Sequence, residues 1–128
     1  MACGGLKTAD KKIDISFLNK HHSVRVIDFA IEIQNYMKQI FLKNGNFMQI
    51  RVGIHTGIVV SVVVGDIKPQ FSLIGKTVNK TCLISRVSPP MKLTVSQQTQ
   101  HYLDLYTNNL LFSSHTEKTG HLKGEKIF

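Results

Sequence analysis

Between Ile50 and Val64 the chain changes its hydrophobic rhythm, and this change constrains the fold more than any other feature. Ile50, Val52 and Ile54 alternate with Arg51, Gly53 and His55, the period of a strand with one face buried. Gly57 interrupts the pattern. Ile58–Val64 follows as an apolar run broken only by Ser61. Such a run suits a fully buried strand and falls short of the ~18 apolar residues of a membrane helix. The two segments are expected to pair as an antiparallel hairpin around His55–Gly57, within residues 49–65. That hairpin would lie at the centre of a mixed sheet, under the helix that precedes it.

The preceding helix is predicted over 24–43. Ser23 is its expected N-cap, and Val26, Ala30, Ile33, Met37 and Ile40 recur in alternating steps of four and three. Asn44-Gly45 is the stop signal. Before it, Lys7–His22 reads as a loop. After the apolar run, Gly65-Asp66 ends a strand, Phe71–Ile74 is a short apolar piece, and Gly75 precedes a helix over 77–86. Ser88-Pro89-Pro90 terminates that helix. Lys92–Val95 is predicted as a strand, and Ser96 as the cap of a short helix containing Tyr102 and Leu103. Leu110–Ser113 and His121–Phe128 are strand candidates on either side of Thr119-Gly120. The 128 residues make one domain at most, of mixed α/β class.

Composition excludes some functions. The net charge is +8, yet the lysines are scattered, with small clusters at Lys7–Lys12 and Lys118–Lys126. No aromatic-interleaved basic motif or zinc-finger spacing accompanies them, so no nucleic-acid partner is expected. Affinity for phosphate-bearing ligands fits the charge better. Cys3 and Cys82 lack metal-type spacing, which points to a reduced, cytoplasmic setting. Lys7, Asp10, Lys11 and Lys12 replace the apolar core of a secretory signal. The histidines, including His21-His22, read as solvated, and His55 as a structural turn residue.

Ile50-Arg51-Val52-Gly53-Ile54-His55-Thr56-Gly57 closely resembles the strand-turn signature of class III nucleotide cyclases. Val63-Val64-Gly65, Lys68–Gly75 and Thr77-Val78-Asn79 follow in the family's order and spacing. Leu122-Lys123-Gly124 looks like the family's last, phosphate-binding strand. Met1–Gly5 resembles the segment just after its second metal-binding aspartate. The wording of Lys68–Asn79 looks most like the guanylyl cyclases of ciliates and apicomplexans.

The resemblance implies a ferredoxin-like α/β half-domain with a mixed, mainly antiparallel sheet, incomplete at its N-terminus. Residues 1–128 would then be the C-terminal part of one catalytic domain. Two such domains would join head to tail, with GTP or ATP and Mg or Mn at their interface. The product would be a cyclic nucleotide plus pyrophosphate. No direct membrane insertion is implied, though the parent protein could be membrane-bound with this domain on the cytosolic side.

Carried over by position, Asn79 orients the ribose, Ser72 stands at the base-reading position, and Lys123 holds phosphate. Serine donates and accepts, so it leaves the base open. The chain also departs from the family. Leu83 stands where an arginine is usual, Lys76 replaces an acid or amide, and Val62 replaces a glycine. Arg86 is a candidate substitute for the arginine. The metal-binding aspartates of the family would precede Met1, and Asp66 and Asp104 are misplaced to replace them. A guanylate cyclase fragment, inactive alone, is the expected function. The alternatives are a non-catalytic cyclase-like partner that binds nucleotide or supports dimerisation, and an adenylate cyclase half.

Overall fold

The computed structural model describes residues 1–6 and 20–106, with the backbone of two short strands near the C-terminus. In chain order the elements are α1 (His22–Met37), β1 (Val52–Ile54), β2 (Val60–Val64), β3 (Gln70–Ile74), α2 (Lys76–Val87), β4 (Leu93–Val95), α3 (Gln97–Tyr106), β5 (His115–Thr116) and β6 (Lys126–Ile127). Mixed α/β architecture is thus observed. The strand candidate at 110–113 and all of 121–128 except Lys126–Ile127 lie outside the described residues, as does most of the 7–22 loop.

The expected hairpin between the alternating segment and the apolar run does not form. β1 pairs in parallel with β4, with Val52 opposite Leu93 and Ile54 opposite Val95. β2 instead pairs antiparallel with β3, from Val60 opposite Ile74 to Val64 opposite Gln70. Two local causes separate β1 from β2. The chain leaving β1 is fixed by a bond from Ser96 N–H to the Ile54 carbonyl (3.1 Å), which draws it toward β4. The chain entering β2 is held by the Thr77 hydroxyl, which donates to the Ile58 carbonyl at 2.6 Å. The turn after Val64 then supplies the reversal that His55–Gly57 does not: Gly65 takes φ +100, open to glycine. β5 and β6 form a third, antiparallel pair. Among the described residues the strands thus form three separate two-stranded sheets, two antiparallel and one parallel, and not the single mixed sheet with a central hairpin that was expected.

α1 also differs from its prediction. His21 rather than Ser23 is the N-cap, and Ser23 lies buried in the first turn. The helix stops at Met37 instead of running to 43. Asn44-Gly45 acts as a reversal here: Leu42 N–H donates to the Asn46 carbonyl (2.7 Å), and Phe41 pairs with Phe47. A small reversal needs both arms extended, which takes Ile40–Leu42 out of the helix. The buried stripe is Val24, Ile27 and Ala30, while Ile33, Met37 and Ile40 are only half-buried.

The core joins that stripe to Ile54, Val95 and Leu103, with Val26, Val52 and Leu93 packed around it. Full burial of a side chain such as Ile27 or Leu103 contributes roughly 1.5–3 kcal/mol. α2 lies directly on β1. A Cβ on Gly53 would come within 2.6 Å of Ser85 Cα and 2.8 Å of the Ile84 carbonyl carbon, so the signature glycine is what lets the helix approach. Ile84, fully buried, is the side chain α2 commits to this contact.

Candidate active-site half

β3 and α2 meet at Gly75, and this junction carries the residues singled out from the sequence. Gly75 has φ +143, a conformation that L side chains rarely adopt. Its carbonyl accepts from Val78 N–H (3.1 Å) and Asn79 N–H (3.4 Å), opening α2 without a side-chain cap. Ser72 sits on the strand side of the turn, half-buried, and Asn79 on the helix side, exposed. Opposite Ser72 stands Val62, so a branched side chain borders the expected base position where glycine would leave space.

Leu83 is one turn beyond Asn79 and half-buried. Arg86 is exposed in the last turn of α2, where a cation favours the helix dipole, and its carbonyl accepts from Arg51 Nη1 at 3.2 Å. Lys76 opens α2, whose first turn has no acidic residue, so its charge faces the positive end of the dipole. Lys123 lies outside the described residues.

His55 behaves as a structural residue. Its Nδ1 is 2.7 Å from Ser96 Oγ, which is 3.0 Å from Thr99 Oγ1, and Thr99 in turn is 3.1 Å from Thr56 Oγ1. Ser96 and Thr99 are buried, and Ser96 Oγ also accepts from Thr99 N–H, the predicted cap of α3. The network fastens the end of β1 to the start of α3. Sequence reading identified the cap; the Thr56–Thr99 link joins residues 43 apart and has no local signal.

A cleft of about 950 Å³ opens between the starts of α1, α2 and α3. Lys20, His21, His22, Arg25, His55 and Lys76 are among its walls, whereas Ser72 and Asn79 are not. His21 is not a solvated residue, contrary to expectation. It caps α1 and stacks on Tyr106, with ring centroids 4.0 Å apart and planes 6° from parallel. Burial pushes the His21 imidazole pKa down, and neighbouring His22 adds to the effect. Among the described residues no group of three or more His, Cys, Asp or Glu side chains could hold a metal ion, and Asp66 and Asp104 are both exposed. The described side chains thus do not make a site for Mg or Mn. Nor is any described helix long and apolar enough to cross a membrane.

Residues 1–128 match the adenylate and guanylate cyclase catalytic domain family throughout, and the chain belongs to that family. It is 40% identical over 76 residues to guanylate cyclase soluble subunit beta-2 of Rattus norvegicus, covering 59% of this chain and 11% of that protein. It is 41% identical over 85 residues to guanylate cyclase beta of Plasmodium falciparum, covering 63% of this chain and 2% of that protein. The chain therefore spans a small part of these relatives. Among solved structures, the guanylate cyclase domain of RhGC from Catenaria anguillulae, in complex with GTP, superposes with a TM-score of 0.73. The match has 22% identity and covers 83% of this chain and 57% of that one, a likeness of fold.

Proposed function

We propose that this chain is the C-terminal part of one guanylate cyclase catalytic domain, contributing half of a site for converting GTP to cyclic GMP and pyrophosphate. The observation that carries this reading is the β3–Gly75–α2 junction in a member of the cyclase family, with Ser72 and Asn79 on its two sides. In this reading Ser72 reads the base, Asn79 orients the ribose, and Lys123 binds phosphate. The relative crystallised with GTP supports a nucleoside triphosphate as the ligand class. In this reading a second cyclase domain completes the site; the guanylyl cyclase domain from Blastocladiella emersonii is known both as a non-canonical dimer and as a monomer. Mg or Mn would need carboxylates beyond those described here, on this polypeptide or on the partner.

The half-site is weakened. Leucine at position 83 cannot stabilise charge developing on phosphate, and losing one preorganised donor costs about 100- to 1000-fold in rate. The chain alone is expected to make no cyclic nucleotide from GTP or ATP with manganese present. Paired with a second catalytic domain that supplies metal carboxylates, it should make little cyclic GMP until Leu83→Arg is introduced. Robust turnover by the isolated chain would overturn the half-site reading. High activity of the pair with Leu83 intact would overturn only the role assigned to that position. No gain on Leu83→Arg, with nucleotide still bound, would favour the non-catalytic partner.

A further inference from the structure

His21 makes two contacts that depend on different parts of its ring. Its Nδ1 lies 2.6 Å from Ser23 Oγ and accepts from Ser23 N–H at 3.4 Å, satisfying one of the open donors of α1. The bond from Ser23 N–H requires an Nδ1 without a proton, whereas the shorter contact with Ser23 Oγ can run in either direction. The ring face stacks on Tyr106 at 4.0 Å and lies 6.1 Å from Tyr102, at 11° to its plane. One side chain thereby joins the start of α1 to the last turns of α3.

The surroundings oppose a positive charge on this ring. On its own segment stand His22, with ring centroids 3.9 Å apart, and Lys20, already paired with Asp28 at 2.7 Å. Arg25 of α1, His55 after β1 and Lys76 of α2 line the same cleft. α3 faces the ring with Tyr102 and Tyr106, which offer no carboxylate, although an aromatic face as near as that of Tyr106 favours a cation and works against these charges. The positive end of the α1 dipole is adjacent as well.

We propose that His21 is a pH-responsive cap: neutral, it accepts from Ser23 N–H and fixes the start of α1 beside α3, and protonated, it gives up that bond and weakens the start of α1. An imidazolium has hydrogens on both nitrogens, so Nδ1 can no longer accept from Ser23 N–H. The sign follows from the lowered pKa of His21 in the fold. The unfolded chain binds the proton more readily, so this contribution is present above the ordinary histidine value of about 6.5 and is lost as pH falls through the folded value.

The test uses the whole chain and follows thermal unfolding between pH 7.5 and pH 5. Asparagine caps helices well and does not titrate there, so His21→Asn keeps the acceptor and removes the switch. Wild type is expected to lose more Tm across this range than His21→Asn, which keeps an acceptor that does not titrate. Equal losses would overturn the proposal, assigning acid sensitivity to other histidines. Proton NMR of wild type provides a second readout that needs no variant. His21 C–H resonances should titrate below the ordinary histidine value, with the Tyr106 ring resonances moving in step. Titration at the ordinary value, or a Tyr106 signal that ignores it, would also overturn the proposal.

Discussion

The two strand pairs at residues 52–95 are built from similar side chains and end in opposite environments. In the β1–β4 pair, Ile54 is 8% exposed and Val95 fully buried. In the β2–β3 pair, Val63 and Phe71, which face each other across the ladder, are 63% and 62% exposed. β2 is the more uniformly apolar strand, yet it is the less covered. Burial here follows from what lies over a strand. β1 has α2 against its backbone at Gly53 and the α1–α3 core beyond Ile54. The hairpin has no comparable cover among the described residues. Apolar surface left open in this way favours association, which the Phe71 substitution below tests.

The contrast can be broken most forcefully at Gly53. A Cβ there must displace the α2 backbone, so Gly53→Val is expected to cost about 3 kcal/mol or more in urea unfolding. A loss below about 1 kcal/mol would mean that α2 is not seated on β1 as described. A smaller effect is expected at the polar fastening between β1 and α3. Thr99→Val removes a fully buried hydroxyl that bridges Thr56 and Ser96, at a cost of about 1–3 kcal/mol. Unchanged stability would show that the network is replaceable. The smallest stability change belongs to the hairpin. Phe71→Ser should shift unfolding by no more than about 0.5 kcal/mol, like other exposed positions. The same change should reduce self-association in sedimentation velocity; a large destabilisation instead would mean that the hairpin is covered.

Much of this arrangement was legible in the sequence where the signal is local. Gly75 and Ser88-Pro89-Pro90 bracket α2, observed at Lys76–Val87. Ser96 was readable as the cap of α3 because serine is a favoured residue just before a helix, and its hydroxyl does accept from Thr99 N–H. Strand partners were not legible. Alternation at Ile50–Ile54 specifies a buried face but not which strand lies beside it, and β1 chose a neighbour beyond an intervening hairpin and helix. The apolar run was misread as buried because hydrophobicity reports a preference for cover, not its presence. His21 was misread because its partner Tyr106 lies far along the chain, and an aromatic stack leaves no spacing signature.

For the candidate site, motif order identified the β3–Gly75–α2 junction, and the fold sets Ser72 and Asn79 on its two sides. What periodicity could not supply was the rest of the environment. Val62 across from Ser72 and the Arg51 bond to the Arg86 carbonyl depend on strand register and helix seating.

The parallel pairing of β1 with β4 also sets an order of events during folding. The contacts that close it join residues about 41 apart, as between Ile50 and Met91 or His55 and Ser96. The β2–β3 hairpin closes across a short turn and can form on the microsecond scale. Long-range closure carries a larger entropic cost before any contact compensates it. The hairpin is therefore expected to appear early, with its valines and Phe71 exposed, while the segment that will hold β1 is still open. On a ribosome this interval would last until β4 and α3 had emerged, which makes a newborn chain of this kind a natural client for chaperones.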